Sequence, residues 1–119
     1  MRRAGLLLAL VLAGCGGDRP AVESPIGDAA AQARGKALLA AYGCVACHSM
    51  RGFQTAGAAG PPLETIARNS YIAGILPNNP DAMARWIAAP RSISPGTAMP
   101  DLGVRADEAR AMASYLYGQ

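Results

Sequence analysis

The stretch Cys44-Val45-Ala46-Cys47-His48 constrains this 119-residue chain more than any other. Two thiols three positions apart are followed at once by the single histidine of the sequence, a spacing that reads as a c-type haem attachment site. The two sulfurs must reach the two vinyl groups of one porphyrin while the next residue presents an imidazole to the iron. A helical turn containing both cysteines allows this. A structural zinc site would need four ligands, and the remaining cysteine, Cys15, lies in a different kind of segment. A redox dithiol would be expected near a βαβ pattern, and none is visible.

Length allows a leader and one small domain, not two. Apolar residues make up 51% of the chain, yet it has one Phe and one Trp. A core of that make-up is thin, because small domains bury a modest share of their surface, and a haem would fill it. The formal charge of +3 includes Arg2 and Arg3; without them nine Arg or Lys face eight Asp or Glu. The mature chain is near neutral and has no basic stripe, which removes the electrostatic basis for nucleic-acid binding. Lys36 is the single lysine, so long-range steering toward an acidic partner is expected to be weak.

Met1-Arg2-Arg3 is a short basic start, and residues 4–12 form an apolar run too short to span a bilayer. Residues 1–14 therefore read as a secretory leader. Its end, Leu12-Ala13-Gly14-Cys15, resembles the bacterial lipoprotein box. That resemblance implies cleavage before Cys15 and acylation of both its sulfur and its new amino group, and several acyl chains anchor stably where one is marginal. Cys15 and residues 16–28, rich in Gly, Pro and small polar residues, form a tether reaching roughly 20 Å. The expected location is the periplasmic side of a bacterial membrane, inner or outer, with residues 29–119 as the folded domain.

Asp28 is placed to cap a helix over residues 29–42, with Ala31, Gly35, Leu38 and Tyr42 on one face. Residues 49–60 read as loop and residues 64–69 as a short helix. Asn79-Pro80-Asp81 is a strong helix start; that helix is expected to run to about Ala89, stop at Pro90, and turn Met83 and Ile87 inward. Residues 91–102 read as loop. A last amphipathic helix is expected over residues 104–117, with Ala109, Met112, Ala113 and Leu116 at helical spacing. Its start is weakly capped, since Arg105 or Ala106 stands where a polar cap is preferred. No repeat and no strand pattern is visible, so the predicted class is all-α.

The haem motif, with Gly60-Pro61-Pro62-Leu63 and Gly96-Thr97-Ala98-Met99-Pro100, resembles a monohaem class I cytochrome c. Tyr71-Ile72-Ala73-Gly74-Ile75-Leu76-Pro77-Asn78, with Trp86-Ile87 and Pro95-Gly96, is similar to the cytochrome c domain fused to subunit II of caa3-type haem-copper oxidases. The likeness covers about residues 30–118. It implies about four helices wrapped around one haem c, held covalently through Cys44 and Cys47. It also implies a close crossing of the first and last helices at Gly35, and a Pro61 carbonyl that accepts the Nδ1 proton of His48. Such a bond fixes the ring and makes the other nitrogen a better ligand. Arg68 and Trp86 are the candidate contacts to the haem propionates; a solvated Arg68 and a Trp86 packed against the haem are the plain alternatives.

One histidine excludes bis-histidine ligation within this chain. A methionine, an open position, or a less usual ligand such as Lys36 or the terminal amine remains. Met1 leaves with the leader, Met50 follows His48 too closely, and Met83 and Met112 fall in expected helices, where packing is the default role. Met99 lies in a loop stiffened by Pro95 and Pro100, and the family's axial methionine occupies this setting. With His48 and Met99 both bound, no position stays open for dioxygen, peroxide or substrate, and a methionine ligand raises the reduction potential. The resulting expectation is an electron carrier, not an enzyme. It would take electrons from a quinol-oxidising complex or another cytochrome and pass them to a terminal oxidase or reductase. The alternatives are a cytochrome subunit of a periplasmic dehydrogenase, or a haem sensor or peroxidase in which Met99 is displaced.

Overall fold

The computed structural model describes residues 27–54 and 57–119. The expected leader and almost all of the Cys15 tether lie outside the described residues. Helix α1 (Ala29–Ala41) begins where Asp28 accepts a hydrogen bond from the Ala30 amide at 2.9 Å. Its buried positions, Gly35 and Leu39, face α4 (Ala106–Tyr117). The two helices meet closely at Gly35, where a Cβ would drive into the backbone carbonyl of Ala111. A mid-helix glycine costs about 1 kcal/mol relative to alanine, and this contact is its reason.

Helix α4 buries Ala109, Met112, Ala113 and Leu116, as its periodicity predicts. It begins two residues later than expected, and its start is better capped than the sequence suggests. The Glu108 carboxylate reaches back to accept from the Arg105 amide at 3.1 Å and also accepts from Tyr42 Oη of α1 at 2.7 Å. Arg34 of α1 pairs with Asp107 at 2.7 Å. Residues of both signs thus join the two helices beside their apolar seam.

Helix α2 (Pro80–Ala88) packs against α4 and turns Met83, Trp86 and Ile87 into the core. Asn79 caps it, with its side-chain oxygen accepting from the Ala82 amide at 2.8 Å. The sequence places a stop at Pro90 followed by loop, whereas Pro90–Ile93 forms one further turn, α3. Ala89, at φ −151° and ψ 63°, breaks the path of α2; Pro90 then starts a new turn, because proline is preset for the first helical position. The helix expected over residues 64–69 is a single 3₁₀ turn, Ile66–Arg68.

One further correction concerns strands. Tyr71–Ile72 (β1) pairs antiparallel with Leu76–Pro77 (β2), Tyr71 opposite Pro77 and Ile72 opposite Leu76. Ala73 and Gly74, at φ 51° and 73°, make the reversal. Two-residue strands are too short to show alternation, so this hairpin left no pattern in the sequence. Asn78 fixes it: the side-chain amide donates to the carbonyls of Ile66 and Asn69, both at 2.6 Å, and its oxygen accepts from Tyr117 of α4. Apart from this hairpin, the described regular structure is helical. Among the described residues no helix is long and apolar enough to cross a membrane.

Candidate haem site

Tyr42 ends α1, and Gly43, at φ 73°, turns the chain into a 3₁₀ turn over Cys44–Ala46. The Cys47 and His48 amides both donate to the Cys44 carbonyl, at 3.3 and 3.0 Å. The cysteines and the histidine thus share one tight reversal, 3₁₀ rather than α-helical, at the end of the long N-terminal helix. Cys44 is half-buried and Cys47 exposed, and no disulfide joins them. Burial pushes the Cys44 thiol above its ordinary pKa, against a smaller opposing pull from a backbone hydrogen bond.

The segment after the motif folds back over it. The Gly60 amide donates to the Cys47 carbonyl at 2.8 Å, and Leu63 to the Ser49 carbonyl at 2.9 Å. This brings His48 and Pro61 together, with Nδ1 2.7 Å from the Pro61 carbonyl oxygen. A carbonyl only accepts, so the bond requires the proton on Nδ1, and in the neutral ring this tautomer leaves Nε2 with its lone pair. Gly60 lies against the imidazole itself: a Cβ there would meet the ring atoms, Nδ1 and Nε2 among them. Gly57 lies equally close to the backbone of residues 45–48. In the sequence both glycines fall in the expected loop over residues 49–60, and Gly60 stands out only as the first residue of Gly60-Pro61-Pro62-Leu63.

Met99 and Cys44 both pack, half-buried, against the same apolar core. Met99 is held by a bond from its amide to Thr97 Oγ1 at 3.2 Å. Trp86 is 8% exposed, and its indole N–H has no acceptor among the described residues, although a buried Trp N–H usually finds one. Arg68 is exposed and makes no side-chain hydrogen bond or ion pair among the described residues. Pro61 is exposed at the rim.

Among the described residues, no three His, Cys, Asp or Glu side chains converge on a point that could hold a metal ion. The donor set suits a haem instead. Two thiols without a disulfide and a histidine with its Nδ1 already committed share one turn, and a core tryptophan carries a donor without an acceptor among the described residues. Residues 32–118 match the Cytochrome c family. The chain belongs to that family. Its cofactor is accordingly a covalently bound haem c, and the domain is an electron-transfer protein of class I cytochrome c fold. The chain is also similar to cytochrome c oxidase subunit 2 of Alkalihalophilus pseudofirmus, 33% identical over 96 residues. That overlap takes in 80% of this chain and 27% of the relative, so the cytochrome c domain spans about a quarter of the relative's length. No solved structure matches the chain.

Proposed function

We propose that this cytochrome c domain is a membrane-tethered one-electron carrier that delivers electrons to a terminal oxidase. The bond between His48 Nδ1 and the Pro61 carbonyl carries the reading. It holds the ring in the tautomer and orientation that make Nε2 a basic ligand. Cys44 and Cys47 would hold the group through thioether bonds, each thiol adding S and H across a vinyl double bond. Met99 would supply the sulfur on the opposite face, and its half-buried place against the core supports this. The indole N–H of Trp86, without an acceptor among the described residues, and the exposed guanidinium of Arg68 are the donors available to propionates. The haem would supply reversible one-electron chemistry at iron; His48 and Met99 would hold it from the protein side in both oxidation states and keep outside molecules away.

The likeness to an oxidase subunit favours a terminal oxidase as acceptor. A quinol-oxidising complex or another cytochrome is the matching donor. Cys15, at the end of an apolar leader, would bear the lipid anchor and place the domain on the periplasmic side of a bacterial membrane. The test uses the mature haem-loaded protein. Reduced protein should be reoxidised by a purified haem-copper oxidase in the presence of oxygen, and should bind carbon monoxide slowly. Rapid carbon monoxide binding would favour a sensor, and failure to reduce the oxidase would remove the proposed acceptor. Mass spectrometry of the membrane fraction reads the Cys15 modification.

A further inference from the structure

The two segments that carry the proposed axial ligands are anchored to the fold in different ways. On the His48 side the ring donates to the Pro61 carbonyl, and Tyr115 of α4, far along the chain, donates to the Arg51 carbonyl at 2.6 Å. On the Met99 side the bonds run within one short stretch. The Ser94 amide donates to the Pro90 carbonyl at 2.8 Å and the Thr97 amide to the Ser94 carbonyl at 3.0 Å. The Met99 amide donates to Thr97 Oγ1, and the Arg91 amide donates to Asp101 Oδ1 at 3.3 Å. The last of these joins the end of the stretch to its beginning and closes residues 91–101 into a loop.

The closing bond meets a need that α3 cannot meet alone. First-turn amides have no acceptor inside their own helix, and Ala89, at the N-cap of α3, has no side-chain acceptor to offer. Asp101 supplies one from two residues beyond Met99. The other anchors of the loop are apolar: Pro90 and Val104 are buried near its ends, and Ile93 and the half-buried Met99 pack against the core. Between Ile93 and Val104 no residue is fully buried, so core packing does not by itself hold this part of the loop shut.

We propose that Asp101 is a positioning residue for Met99: its carboxylate closes the loop and sets the fraction of molecules in which the Met99 thioether is held in place. The inference rests on Met99 being the sixth ligand. An exposed bond at 3.3 Å sits at the modest end of the range for hydrogen bonds to charged groups. Its loss changes the open fraction by up to roughly tenfold, and a ligand that needs the open form sees that fraction directly.

The experiment compares the haem-loaded wild-type protein with Asp101→Ala, Asp101→Asn and Met99→Ala. It reads the far-red charge-transfer band of the ferric protein, which marks thioether ligation, and the rate of carbon monoxide binding to the ferrous protein. Asp101→Ala should weaken the band and speed binding by up to roughly tenfold. Asp101→Asn keeps an oxygen acceptor at the same place and should stay close to wild type. Asp101→Ala behaving as wild type, or Asp101→Asn as impaired as Asp101→Ala, would overturn the role of Asp101 while leaving Met99 as ligand. A wild-type protein without the band, or one that Met99→Ala leaves unchanged, would overturn both.

Discussion

Tyr115 Oη lies 2.6 Å from the carbonyl oxygen of Arg51 and donates to it, tying α4 to the backbone three residues beyond His48. Phe53 stands edge-on to the same ring, with centroids 5.9 Å apart and planes at 82°. Lys36 of α1 sits 5.5 Å from the Phe53 ring centroid. The segment leaving the histidine is thus stapled to both terminal helices. Tyr115→Phe keeps the ring contact and removes the hydrogen bond. It should lower stability by about 1 kcal/mol, read by thermal unfolding of the haem-loaded protein, with the visible spectrum unchanged.

The crossing of α1 and α4 depends on the absent side chain at Gly35, since a Cβ there meets the Ala111 carbonyl. Gly35→Leu should cost about 2 kcal/mol or more, the range of overpacked cores. Backbone cannot give way as a side-chain tip can. A melting temperature equal to wild type would show that the helices do not meet there.

Acid should loosen the same helix pair. The hydrogen bond from Tyr42 holds the Glu108 carboxyl below its ordinary value of 4.5, helped by the Arg105 amide. It holds the Tyr42 hydroxyl above 10.0. A depressed carboxyl contributes stability that is fully present above its unfolded pKa and lost as pH falls through the folded one. The raised tyrosine gives the mirror statement: its contribution is present below about 10 and lost as pH rises through the folded value. The difference in melting temperature between wild type and Glu108→Gln should therefore be greatest between these limits and shrink on acidification. A constant difference across the acid range would contradict the pairing.

Gly60→Ala places a methyl group where the His48 imidazole stands. The ring must tilt or the Pro61 carbonyl must withdraw, and either change weakens the bond that orients the ligand nitrogen. Changes of this kind around a ligating histidine typically cost tenfold or more in metal affinity or activity. The variant should show a lowered yield of haem-loaded protein and a shifted reduction potential. Wild-type values for both would show that the ring is not held from this side.

The helical frame was largely legible, because it follows from periodicity and capping chemistry. Asn79-Pro80-Asp81 marks the start of α2, and the spacing of Ala109, Met112, Ala113 and Leu116 marks the buried face of α4. The haem motif was legible for a different reason: covalent chemistry fixes its spacing. What escaped was set by contacts between distant segments. Glu108 caps α4 and also binds Tyr42, a residue far back in the chain, and Asn78 draws three separate segments together. Gly60 is needed for what approaches it and shows in the sequence only as the residue before Pro61, while Asp101 is needed for what it reaches and has no signature in its neighbours. The β1–β2 hairpin and α3 are each too short to impose a period.

We propose one iron held between His48 and Met99 in a haem bound through Cys44 and Cys47, and the ferric absorption spectrum of the mature purified protein reads that arrangement. The folded protein should show low-spin haem bands with the far-red band of a thioether ligand that disappears in Met99→Ala, and the haem should stay attached after denaturation. A colourless protein, or a haem released on denaturation, or a high-spin spectrum without that band would contradict it.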